Sequence, residues 1–87
     1  MRETGNGRFD IQMLPLNKKL PGILIELKAE KNCTEEQLDE LAENALKQIN
    51  DRQYHVEMSA QDVKEILQYG IAFSGKSASI KAEVRRL

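Results

Sequence analysis

The chain has no tryptophan and only one histidine, one cysteine and two prolines among 87 residues. Each scarcity excludes something. A lone Cys33 cannot form an intramolecular disulfide, so the fold must be held by its own core or by a partner chain, and a reducing cytoplasm is the expected compartment. Cys33 precedes a helix cap, where the dipole lowers a thiol pKa, but with no second cysteine and no histidine near it in sequence it reads as incidental. His55 itself reads as a solvated turn residue. The longest uninterrupted apolar runs, such as Ile23 to Ile25, are far short of the ~20 residues a membrane span needs, and Met1-Arg2-Glu3-Thr4-Gly5 lacks the apolar stretch of a signal peptide. No membrane partner is expected. A net charge of −1, from 13 basic and 14 acidic residues, gives no bulk attraction to nucleic acid or membrane, although a local basic rim can still meet phosphates.

What is present is the composition of an ordinary globular protein, 40% hydrophobic and 31% charged, with length for one domain over residues 1–87. After a polar, glycine-bearing lead-in, Arg8 to Leu14 alternates Phe9, Ile11 and Met13 against Arg8, Asp10 and Gln12, the pattern of a half-buried strand. Pro15 to Gly22 holds both prolines and reads as a loop. Ile23 to Ala29 follows as a second strand, too apolar for a wet edge, so the two suggest a hairpin. Thr34 with Gln37 three residues on is a capping-box signature, and Leu38, Leu41, Ala42, Ala45, Leu46 and Ile49 recur on one face of a helix at about 34–50. Ser59 is expected to open a second, shorter helix through Val63, Ile66 and Leu67 that stops near Gly70. Ile71 to Phe73 then reads as a buried strand. A Gly75-Lys76 turn leads to a final antiparallel strand over Ser77 to Arg85, though Ile80, Val84 and Leu87 also fit a helix.

The chemistry resides in the hairpin. Alternation along a strand puts Glu26 and Lys28 on one face and Ile23, Ile25 and Leu27 on the other. If Leu14 pairs with Gly22 around the proline loop, Asp10 falls directly opposite Glu26. Two facing carboxylates repel, which raises one pKa unless a cation fills the gap, and Mg²⁺ or Mn²⁺ is the natural occupant. Such an ion would acidify a bound water and offset charge developing on a phosphate, with Lys28 beside it to orient the water or stabilise the transition state. The same three residues also fit a cross-strand salt-bridge cluster on a solvated face. Lys76, Lys81, Arg85 and Arg86 make a basic end that fits phosphates, although a solvated strand face and frayed tail is the default reading.

Gly7-Arg8-Phe9-Asp10-Ile11, Pro21 to Lys28, Ala45 to Ile49, Tyr54 and Tyr69 to Lys76 together resemble the PD-(D/E)XK nuclease superfamily domain found at the C-terminal end of AAA-ATPase-like proteins. The likeness covers about residues 5 to 85. It implies an α+β, restriction-endonuclease-like mixed sheet flanked by helices, shortened at the family's leading helix and first strand. It further implies Asp10 and Glu26 as metal ligands, the Leu27 carbonyl completing the inner set, Lys28 as catalytic lysine, and Gln48 and Tyr54 as the glutamine and tyrosine that follow the motif. A structural role for both, Gln48 on a helix flank and Tyr54 in the core, stays open. The implied activity is Mg²⁺- or Mn²⁺-dependent hydrolysis of DNA, with possible association with an ATPase domain. The alternative is an interaction or dimerisation module retaining the fold. An open strand edge along Arg8 to Leu14 would be covered by a second copy in a homodimer.

Gly70-Ile71-Ala72-Phe73-Ser74-Gly75-Lys76-Ser77 fits the letters of a Walker A motif. A phosphate-binding loop must run from a strand into a long helix, and ten residues beyond Ser77 leave no room for the rest of that fold. The match is set aside as accidental.

Overall fold

The computed structural model describes residues 8–15, 17, 19–51 and 62–87. Strands β1 (Arg8–Met13) and β2 (Gly22–Ala29) form an antiparallel hairpin, helix α1 (Glu35–Asp51) follows, and β3 (Glu65–Ser74) and β4 (Ser77–Arg86) form a second antiparallel hairpin. The two hairpins join through parallel pairing of β2 with β3, giving a mixed sheet in the order β1-β2-β3-β4.

Helix α1 begins where its sequence says it should. The Gln37 amide donates to Thr34 Oγ1 at 3.2 Å and the Thr34 amide donates to Gln37 Oε1 at 3.0 Å, which satisfies two backbone donors that a helix start leaves free. Its buried stripe of Leu38, Ala42, Ala45 and Ile49 then lies on one face of the sheet. Leu38 and Ala42 pack with Ala72, while Ile49 packs with Leu24, Val63 and Ile66, so the helix runs antiparallel to β2 and β3. Each large apolar side chain fully buried here contributes on the order of 1.5–3 kcal/mol. The close approach depends on Gly70. A Cβ at that position would stand 2.2 Å from the Ala42 carbonyl oxygen and 2.6 Å from the Leu46 nitrogen.

The expected second helix fails over 62–70, where it can be compared. Residues 65–70 are strand, continuous with 71–74, and the stretch 52–61 lies outside the described residues. Ile66 and Leu67 fit a helical stripe as well as a strand, and short apolar runs do not separate the two by period. Pairing on both sides, with β2 and with β4, resolves it in favour of the strand. At the next turn Gly75 has φ 59°, the left-handed value glycine adopts freely, and Ser74 pairs with Ser77 across a two-residue connection. The Walker-like letters therefore form strand, turn and strand, with no helix after them.

Candidate metal and phosphodiester site

Asp10 and Glu26 are paired directly across the β1/β2 ladder, with Arg8 opposite Lys28 and Met13 opposite Ile23. Directly opposed residues of antiparallel strands project to the same face with Cβ atoms roughly 4.5–5.5 Å apart. Lys28, two positions beyond Glu26, shares that face. It is the face on which α1 lies. The helix packs on β3, β4 and β2, leaving β1 outside its main footprint. Glu26 is accordingly 0% exposed, Lys28 is half-buried and Asp10 is exposed, so the acidic pair sits where the covered part of the sheet opens to solvent.

This boundary position sets the electrostatics. The Glu26 carboxyl is pushed up to about 8 by burial first, then by its hydrogen bond to Asp10 and the negative charge there, with the Lys28 ammonium pulling the other way. At neutral pH the pair thus holds a proton between its two carboxyls. A divalent cation suits the same place, because its charge replaces that proton and its preference for oxygen ligands is met by the two carboxylates. Among the described residues no group of three or more His, Cys, Asp or Glu side chains forms a fuller metal cluster.

Gln48 is carried by the helix. On α1, Asp39 accepts a hydrogen bond from Ser79 and Asn50 accepts one from Arg85 at 3.1 Å, so that flank of the helix faces β4. At about 100° per residue Gln48 lies roughly opposite Asp39 around the helix, on the flank that overlooks β2. Its Oε1 is buried and finds no hydrogen-bond partner among the described residues. Tyr54 lies outside the described residues. The basic end is divided: Lys81 and Arg85 share the helix-covered face, on the far edge of the sheet, whereas Arg86 projects to the other side.

One buried polar residue escaped the sequence reading. Gln68 is 1% exposed, its side-chain oxygen and nitrogen both lack partners among the described residues, and it lies on the helix-covered face one pleat from Gly70, the partner of Glu26. Its signal was a single amide in an otherwise apolar Ile66-Leu67-Gln68-Tyr69 run. A central strand covered by a helix makes that position interior.

A mixed sheet with antiparallel outer strands, a helix linking its two parallel inner strands, and an acidic pair with a lysine on the first hairpin define a restriction-endonuclease-like α+β protein. The family model of the PD-(D/E)XK nuclease superfamily matches residues 2–83, and the chain belongs to that superfamily. No curated protein and no solved structure was found to match it.

Proposed function

We propose that this is a metal-dependent nuclease domain that hydrolyses phosphodiester bonds of DNA, using Asp10, Glu26 and the Leu27 carbonyl as ligands for Mg²⁺ or Mn²⁺. The observation that carries the reading is the direct pairing of Asp10 with the buried, proton-retaining Glu26 on one face with Lys28. Superfamily membership supports the same reaction class. When bound, the ion supplies charge neutralisation for the scissile phosphate and makes water more acidic. Glu26 yields its proton on loading. The Lys28 ammonium orients the attacking water and offsets negative charge gathering on the phosphate, and the Gln48 amide helps to hold the water or phosphate from the helix side. Asp10, open to solvent, lies where substrate arrives. DNA is the proposed partner, the cytoplasm the proposed compartment, and a homodimer the proposed assembly; association with an ATPase domain follows from the branch of the family that the sequence resembles.

A second reading is a non-catalytic interaction module in which the acidic pair persists without loading. The small number of ligands favours it, since no third acidic or imidazole group joins the pair among the described residues. Titration calorimetry with Mn²⁺ and a plasmid-nicking assay separate the two. The nuclease reading expects Mn²⁺ binding that Glu26→Gln removes, and nicking that Lys28→Ala lowers by about 10²-fold or more while the circular dichroism spectrum is unchanged. Absence of divalent-ion binding at millimolar concentration would leave the interaction module.

A further inference from the structure

The sheet has a second face, and α1 does not touch it. Every position that alternates with Glu26 and Gly70 projects there, and the side chains are apolar almost throughout. Ile11 and Met13 of β1, Phe73 of β3 and Ile80 and Val84 of β4 are exposed, the last two at 61% and 55%. Between them Ile25, Leu27, Leu67, Tyr69 and Ile71 are half-buried, and among the described residues no helix lies over them. The only charged side chains described on this face are Glu65 and Arg86, paired across the ladder at one end. At the hairpin end the apolar surface continues into an open hollow of about 290 Å³, whose walls include Met13, Leu20 and Ile23.

Isolated exposed apolar residues on a surface need no explanation, but a continuous face does. The central strands pair in parallel, a geometry found almost always with both faces of the sheet covered. Four strands spaced about 4.8 Å apart and roughly eight residues long at 3.3 Å each give a face on the order of 400–500 Å² in plan, more along the contours of its side chains. Two such faces packed together would bury on the order of 1,000 Å² or more, the size at which a specific interface becomes stable.

We propose that this face is the docking surface for a second copy of the chain, the two sheets packing face to face as the inner layers of a four-layer α/β/β/α dimer. Self-association suits the surface because it carries no unpaired charge at its centre to repel its own image. A two-fold arrangement also closes, since each copy offers the same patch and receives the same patch. Sheets packed this way lie about 10 Å apart and interdigitate the side chains of their inner faces. Both α1 helices remain outside, and both Asp10–Glu26 pairs open away from the interface. The dimer therefore leaves each candidate site accessible and points the two in opposite directions. The inference stands whether or not the site is catalytic.

The test uses the 87-residue chain. Size-exclusion with light scattering across a dilution series should give twice the 9.9 kDa chain mass at high micromolar concentration and a shift toward the monomer on dilution. Ile80→Glu and Val84→Glu, each made singly at positions more than half exposed in the isolated chain, should weaken association by about tenfold or more with an unchanged circular dichroism spectrum. Hydrogen exchange on the unmodified protein gives a second measure that does not depend on the variants folding. Packing through the face leaves the outward amides of β1 exchanging at the same rate in dimer and monomer, whereas pairing through the β1 edge protects them. A monomer at every concentration, a dimer indifferent to both glutamates, or β1 amides protected on dimerisation would each overturn the proposal.

Discussion

A carboxyl group that solvent does not reach, facing a second carboxyl across the ladder, keeps its proton to about pH 8 when folded and loses it near 4.5 when unfolded. Between those values the folded chain binds more protons than the unfolded one, so its stability falls as pH rises, by up to about 1.4 kcal/mol per pH unit. Stability from this group is fully present below about 4.5 and is lost by about 8. Metal-free thermal melts should therefore show Tm falling across that window, and Glu26→Gln should flatten the profile. Mn²⁺ should raise Tm most at the alkaline end, where it replaces a proton already leaving; a metal-free Tm that rises with pH in wild type but not in Glu26→Gln would contradict the assignment. Gln68 presents the opposite balance. An interior amide with no partner costs about 1–3 kcal/mol, so Gln68→Leu should stabilise the chain by about 1 kcal/mol or more in urea unfolding, with Mn²⁺ affinity unchanged. A destabilised variant would show that the amide has a partner the fold requires.

Helix α1 is placed by two local devices that carry different energies. The capping box at Thr34 holds its start, and Thr34→Ala should cost about 1 kcal/mol by chemical denaturation. Gly70 admits its middle to the sheet, and Gly70→Ala should cost about 3 kcal/mol or more, because the added carbon meets helix backbone rather than a side chain that can swing aside. The clash should also push the helix away from Gly70 and its strand neighbour Glu26, so Gly70→Ala is expected to weaken Mn²⁺ binding while Thr34→Ala leaves it nearly intact. These elements differed in legibility. The helix was readable from Thr34, Gln37 and the stripe through Ile49, and the hairpin register from counting back around Pro15 to Gly22, which put Asp10 opposite Glu26. Strand β3 was only half readable: Ile71 to Phe73 read as strand, but residues 65–70 did not, because Val63, Ile66 and Leu67 satisfy a helical period and Gly70 resembles a helix stop. Its strand identity comes from neighbours distant in sequence, Gly22 to Ala29 on one side and Ser77 to Arg86 on the other.

At the level of the assembled chain, the sheet is covered on one face by α1 and, among the described residues, open on the other, and that asymmetry ties stability to association. If the apolar face is satisfied by a second copy, Tm should rise with protein concentration, and Ile80→Glu should abolish that dependence. Scanning calorimetry over a wide range of concentrations checks it; a Tm independent of concentration in the unmodified protein would sever the link. Among the described residues no helix is long and apolar enough to cross a membrane, in keeping with the short apolar runs of the sequence.

Residue order alone established the features that depend on near neighbours: the alternation that puts Glu26 and Lys28 on one face, the cap that starts α1, and the turn at Gly75-Lys76. Three-dimensional packing settled what depends on contacts between distant segments. It turned residues 65–70 into strand, continuous with 71–74, enclosed Gln68 and Glu26 beneath the helix, and left apolar side chains of the opposite face exposed among the described residues. Local patterns report backbone preference and which side a residue faces, whereas burial depends on what another part of the chain lays over that side.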